Sequence, residues 1–300
     1  MAEKTKKKTR LGVLNIVLMV ILILYTALLL VLLAWGGMTS LKTRADFYDN
    51  KLGLPSGSIF TWGWDNYSFV LENFAVVKID ELGRKISINI WGQLTNTLLY
   101  AVGGALVTTG CCCIVAYVTA KFSYFFSKIV YTVVLVTMVI PIVGSTPSML
   151  LLLRRTNLYD TWLGTYFMRF TFLGLYYLIF HGVFEGISKE YSEAATLDGA
   201  NEYKIFFLII LPLVKTTFYT VFLIQFIEYW NDYNMALMYM PTHPTLAYGV
   251  YYLSVSNMNG LSSAPMRMVA CVILALPLIT VFVLFRDKIM GNVTMGGVKE

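Results

Sequence analysis

The sequence predicts an all-α integral membrane protein with six transmembrane helices. Of its 300 residues, 57% are hydrophobic and only 13% charged, where a soluble domain carries about a quarter charged. Four long stretches, 11–41, 86–120, 129–153 and 268–285, contain no Asp, Glu, Lys or Arg. Two more, 161–184 and 205–227, carry one charge each, Arg169 and Lys215. A bilayer-crossing helix needs roughly 20 mostly apolar residues, because each backbone polar group must find its partner inside the segment. All six stretches meet that requirement.

Residues 1–10 form a basic tail with Lys4, Lys6, Lys7, Lys8 and Arg10. The apolar run 11–35 behind it is too long for the core of a secretory signal, about 7–15 residues, and lacks a small-residue cleavage site. It reads as the first span, with its basic flank in the cytoplasm. Residues 36–85 form an external segment, balanced in charge and rich in Gly, Pro and aromatics. Residues 86–285 hold the other five spans, with a charged loop at 185–204, and 286–300 form a cytoplasmic tail. Spans alternating from a cytoplasmic N-terminus put 12 Lys and Arg inside and nine outside, the direction expected of cytoplasmic loops. Arg154 and Arg155, in a short external turn, run against it. In the second external segment, 229–265, Pro241, Pro244 and the run 256–260 signal turns rather than helix. The absence of an internal repeat argues against a secondary transporter.

The loop at 185–204 carries the most specific signal. It reads Glu190, then Glu193-Ala194-Ala195-Thr196-Leu197-Asp198-Gly199-Ala200, with Ile209 and Leu211-Pro212 following. Acidic residues in a first turn and alanines behind them favour a helix. Gly199 then breaks it. A short helix, a bend and a return into the membrane make a protruding knob. The spacing Glu-Ala-Ala, three residues, Gly, nine residues, Ile, one residue, Leu-Pro resembles the signature of binding-protein-dependent ABC importer permeases. Asp198-Gly199-Ala200, Asn96-Thr97, 141–147, Trp230-Asn231-Asp232-Tyr233, Thr245-Leu246-Ala247, Leu276-Pro277 and the tail 291–299 are similar to the carbohydrate importers, and among these to the maltose-type second permease. Thr216, where proline is frequent, and Glu300, where the chain usually ends in Gly, depart from that pattern.

The resemblance implies that Glu190, Glu193, Ala194, Ala195, Asp198, Gly199, Ala200, Leu211 and Pro212 form a cytoplasmic coupling helix and its return. That helix would sit in a cleft of a separate ATPase in a bacterial inner membrane. Implied partners are a second homologous permease, two ATP-binding subunits, an extracytoplasmic sugar-binding protein and membrane lipid, with no nucleic acid. The cargo would be a sugar or oligosaccharide, or alternatively a polyol or glycerol phosphodiester; from another class, the rival is an ATP-independent carrier or channel.

No catalytic or metal-binding constellation emerges from the residues themselves. A phosphate-binding Gly-x-x-x-x-Gly-Lys-Ser/Thr is absent, so no cofactor is expected on this chain, and ATP and Mg belong to the partner. His181 and His243 are the only histidines, and Cys111, Cys112, Cys113 and Cys271 fall inside spans without metal-ligand spacing. Arg169 lies about 12 Å of helix inside the fourth span. Tyr166 and Tyr177 fall on its face at helical spacing. It either lines a translocation path with them or snorkels to the outer surface, or the span starts later.

Overall fold

The computed structural model describes residues 13–79, 83–122, 124–140, 144–256 and 260–293, with side chains of the last helix described as far as 285. The tail 1–10, Pro141, the run 257–259 and the end of the chain after 293 lie outside the described residues. The chain divides into two compact units, Met1–Leu71 with Asn257–Ile273, and Glu72–Ser256 with Leu274–Glu300.

The first unit begins with α1 (Val13–Ser40), whose Leu-, Ile- and Val-rich surface is buried only at Thr39 and Ser40. Such an all-round apolar surface suits lipid. Behind it come α2 (Arg44–Asp49), a 3₁₀ turn at Ile59–Thr61, and α3 (Asp65–Asn73). Polar side chains lock this segment. The Asn66 amide donates to the Ser40 and Lys42 carbonyls at 2.8 Å each, Ser40 Oγ meets Tyr67 OH at 2.7 Å, and the wholly buried Lys42 donates to the Asn50 carbonyl. Residues 40–67 are thus tied together by hydrogen bonds from buried polar side chains.

In the second unit β1 (Ala75–Ile79) pairs antiparallel with β2 (Lys85–Asn89), in register from Ala75↔Asn89 to Ile79↔Lys85. This hairpin is the one departure from an all-α chain among the described residues. Its β-branched Val76, Val77, Ile79, Ile86 and Ile88 account for it. Asn89 then caps α4 (Ile90–Lys121), its side chain accepting from Gly92 N at 2.9 Å. Helix α4 runs about 48 Å, and the helices Phe125–Val139, Trp162–Arg169, Leu175–Glu185, Leu211–Trp230 and Leu246–Val255 pack on it.

The third and fourth stretches each split in two. The third becomes α5 (Phe125–Val139) and α6 (Ser145–Arg155), and the fourth becomes α7 (Trp162–Arg169) and α8 (Leu175–Glu185). Ile140 turns extended, φ −83° and ψ 115°, as the residue before a proline must. Gly174 sits at φ 141°, a conformation that only glycine adopts readily. The helical face assumed for Arg169 and Tyr177 is therefore interrupted at 170–174.

Next come α9 (Glu190–Leu197), α10 (Glu202–Lys204), a π-helical turn at Ile205–Ile210, and α11 (Leu211–Trp230). The wide turn precedes Pro212, which cannot donate a backbone hydrogen bond and whose ring crowds the carbonyl four residues back. The chain closes with α12 (Asn234–Met238), α13 (Leu246–Val255) and α14 (Ala264–Val293), the last containing Pro277. Residues 246–255 lie between the turn signals of the segment 229–265 and fold as helix, Thr245 capping them by accepting from Tyr248 N at 3.2 Å. Among the described residues, four helices are long and apolar enough to cross a membrane: Val13–Ser40, Ile90–Lys121, Glu202–Trp230 and Ala264–Phe285.

The core of the second unit lies where α4, α8 and α11 meet. Tyr117, Tyr177, Phe180, Phe184, Ile205, Phe206 and Val214 are buried there with Ala195 of α9. Small residues let the helices approach: a Cβ on Gly104 would stand 3.1 Å from the Tyr229 ring, the close packing that small residues permit between membrane helices.

Candidate functional site

The signature segment folds as a short helix with a glycine stop. Glu190 and Glu193 occupy the first turn of α9, and Ala194 and Ala195 its centre. At its end the Gly199 N–H donates to the Thr196 carbonyl at 3.0 Å and the Ala200 N–H to the Ala195 carbonyl at 2.9 Å. Gly199 takes φ 79°. Together these bonds satisfy the last carbonyls of the helix in a Schellman arrangement. A Cβ at Gly199 would meet nothing within 4 Å, so only the left-handed backbone requires glycine. Asn201 restarts the helix by accepting from Lys204 N at 2.9 Å, and Leu211-Pro212 opens α11.

Helix α9 buries Ser192 and Ala195 inward and presents Leu197, 89% exposed, with Tyr191 and nearby Tyr203 outward. These three side chains stand out from the protein around the α9–α10 turn. Behind α9 lies a cavity of about 500 Å³ between Tyr117, Lys121, Phe184, Lys189, Ser192 and Glu193. Lys121, the last residue of α4, reaches Glu202 Oε2 and Tyr117 OH at 3.0 Å each. The Glu202 side chain is 56% exposed, and solvent screens such a pair. We expect a Lys121/Glu202 double-mutant cycle in thermal unfolding of the detergent-solubilised protein to give a coupling of about 0.2–1 kcal/mol.

Arg169 ends α7 at the break and is held from three sides. Its guanidinium donates to Asp232 Oδ2 at 2.7 Å and to Tyr100 OH, and it lies 4.3 Å from the centre of the Tyr229 ring. Tyr100 OH donates to the same carboxylate oxygen at 2.7 Å. Asp232 Oδ1 accepts from Met235 N in the first turn of α12 at 3.2 Å. Thr108 accounts for the carbonyl of Arg169, donating to it at 2.8 Å while its oxygen also meets Tyr229 OH at 2.9 Å. This clasp ties α4, α7 and the end of α11 at one level. Tyr166 lies against α4, donating to the Leu99 carbonyl at 3.0 Å. Tyr177 is wholly buried in α8, its hydroxyl 2.7 Å from Thr119 Oγ1. Asp232, Tyr100 and Tyr229 are partners that the reading of Arg169 missed, since no spacing in the sequence connects them to it.

The model for the binding-protein-dependent transport system inner membrane component matches residues 112–290, from the middle of α4 through the signature loop to the last helix. The chain belongs to that family. It is a multi-pass inner-membrane transport permease. It is 23% identical over 279 residues to the diacetylchitobiose uptake system permease protein of Streptomyces coelicolor, covering 92% of this chain and 86% of that one. It is 29% identical over 219 residues to the maltose/maltodextrin transport system permease protein of Yersinia pestis, with 70% of each chain covered. A chain from the crystal structure of a bacterial ABC transporter involved in the import of the acidic polysaccharide alginate shares the fold, with TM-score 0.73 and 21% identity over 95% of this permease and 99% of that chain. Among the described residues of the permease, no group of three or more His, Cys, Asp and Glu could hold a metal ion.

Proposed function

We propose that this permease is the membrane subunit of an ATP-driven importer for a sugar or oligosaccharide, with α9 as the helix through which ATP hydrolysis on another chain moves the membrane domain. The observation that carries this is the placement of elements along α4. The α9–α10 knob is fastened to its C-terminal end by Lys121. The hairpin leads into its N-terminal end, and α13 is fastened there by Thr97, whose hydroxyl accepts from Leu246 N at 2.8 Å. Thr97 and Lys121 are about 36 Å apart along the helix, more than the roughly 30 Å of a hydrocarbon core. The knob and the hairpin thus face opposite sides of the membrane. With the basic tail inside, six crossings in which α5–α6 and α7–α8 each count as one interrupted span put the knob in the cytoplasm and the hairpin outside.

In this reading two ATP-binding subunits, carrying ATP and Mg, dock on the exposed Glu190, Glu193, Ala194, Leu197, Asp198 and Gly199, while the buried Ala195 seats the helix on the core. A homologous permease completes the membrane path, and an external binding protein delivers cargo. The sugar relatives favour a carbohydrate. Arg169, a little under a quarter exposed, borders the path through its clasp with Asp232, beside Tyr166. ATP and the loaded binding protein each favour the outward-open state, and hydrolysis restores the inward one.

The complex reconstituted in proteoliposomes is expected to take up labelled oligosaccharide only with ATP and the loaded binding protein present. Uptake that proceeds without nucleotide would instead establish a carrier. The sidedness has its own check. In a cysteine-free background, Lys85→Cys should react with an impermeant thiol reagent in intact cells and Leu197→Cys only after permeabilisation; the reverse pattern would invert the topology.

A further inference from the structure

Four tyrosines of the helical core engage their hydroxyls inside the protein: Tyr100 on Asp232, Tyr166 on Leu99, Tyr177 on Thr119 and Tyr229 on Thr108. Those at the opposite end of α4 from the knob behave differently. Tyr233 and Tyr251 stack face to face, ring centres 4.8 Å apart and planes 13° from parallel. Tyr252 stacks beside them on Tyr248, at 6.2 Å and 28°. Tyr248 is buried, with the Lys78 ammonium 4.7 Å from its ring centre, and so anchors the group against β1. The hydroxyls of Tyr233, Tyr251 and Tyr252 have no hydrogen-bond partner among the described residues, and Tyr233 is 37% exposed.

We propose that Tyr233, Tyr251 and Tyr252 form a stacking platform for a carbohydrate ring at the outer mouth of the permease. Aromatic side chains at a membrane surface commonly serve as interfacial anchors. An anchor, however, needs neither a parallel stack nor uncommitted hydroxyls on all three of these rings. A pyranose ring does match both features. Its axial C–H bonds make a slightly positive flat face that settles on the negative face of a phenol ring, and its hydroxyls pair with phenol hydroxyls at the rim. Tyr233 directly follows Asp232 of the Arg169 clasp, so a sugar on the platform lies next to the group that ties α7 to α11. The inference rests on the carbohydrate cargo proposed above and adds a station for it on this subunit.

The test uses the assembled complex in lipid nanodiscs without binding protein, with maltotriose, cellotriose and diacetylchitobiose as probes in saturation-transfer NMR. For at least one of them, transfer to ring C–H protons is expected from the wild type. It should fall at least threefold in the Tyr233→Leu/Tyr251→Leu variant and survive largely in Tyr233→Phe/Tyr251→Phe, which keeps the ring faces and the fold. Equal transfer from wild type and the Leu variant overturns the platform. Parallel uptake assays separate the two readings. If wild-type complex imports a probe yet shows no transfer, the platform is wrong and the cargo stands; if no probe is imported and none transfers, the cargo reading falls and the platform with it.

Discussion

Replacing Asp232 with Ala should destabilise the permease by about 3 kcal/mol, the lower end of the cost of breaking a buried ion pair. The carboxylate is the only anion bonded to Arg169 among the described residues, and it also accepts from Tyr100. Removing it strands a guanidinium in an apolar bundle, over the Tyr229 ring and with Nε already lacking a partner. The estimate stays at the low end because both side chains keep some exposure, 23% and 20%. Asp232→Asn keeps an acceptor for Tyr100 while losing the charge, and should cost less. The double change Arg169→Met with Asp232→Leu should cost least, since replacing a whole buried pair by apolar groups of similar volume is often neutral. Thermal unfolding of the detergent-solubilised complex reads all three. Equal losses for the single and double variants would show that Arg169 and Asp232 do not act as a pair.

Gly199→Val should abolish most ATP-driven uptake while leaving the permease inserted and assembled. A β-branched residue at φ 79° carries roughly 1–2 kcal/mol of backbone strain, and no neighbour lies within 4 Å to add a clash. The strain falls on the turn that orients α9, outside the core around Tyr117 and Phe206, so the effect should appear in coupling rather than in folding. Gly199→Asn is the control, because Asn tolerates the left-handed region and adds no charge. Uptake and binding-protein-stimulated ATPase activity should fall at least tenfold in the Val variant and much less in the Asn variant. Equal activity in both would mean that the turn geometry is irrelevant to coupling.

The long helices were legible in the sequence because lipid imposes a simple rule, roughly 20 mostly apolar residues with very few charges, and α1, α4, α11 and α14 each contain such a stretch. The interruptions were harder to see. Hydropathy stays high across Pro141 and Gly174, and the break at 170–174 is sustained by tertiary bonds, Thr108 to the Arg169 carbonyl and Cys112 Sγ to the Thr171 carbonyl at 3.5 Å. The hairpin did leave a local signal, β-branched residues in Ala75–Ile79 and alternating ones in Lys85–Asn89, but the first strand lies in the segment read as external and 86–89 in the stretch read as the start of the second span. The knob was readable because its chemistry is local: acidic first turn, alanines, glycine stop. The Arg169 clasp was not, because Tyr100, Arg169 and Asp232 come from three distant parts of the chain and meet only when α4, α7 and α11 pack.

An ATPase subunit seated on α9 should be captured by a site-specific cross-link. Leu197, 89% exposed at the tip of that helix, is replaced by Cys in a cysteine-free permease and treated with a short bifunctional reagent in the assembled complex. The account predicts a cross-link to the ATP-binding subunit at Leu197→Cys, with a yield that changes when ATP is added, and none at Lys85→Cys in the hairpin. A cross-link at Lys85 with none at Leu197 would contradict it.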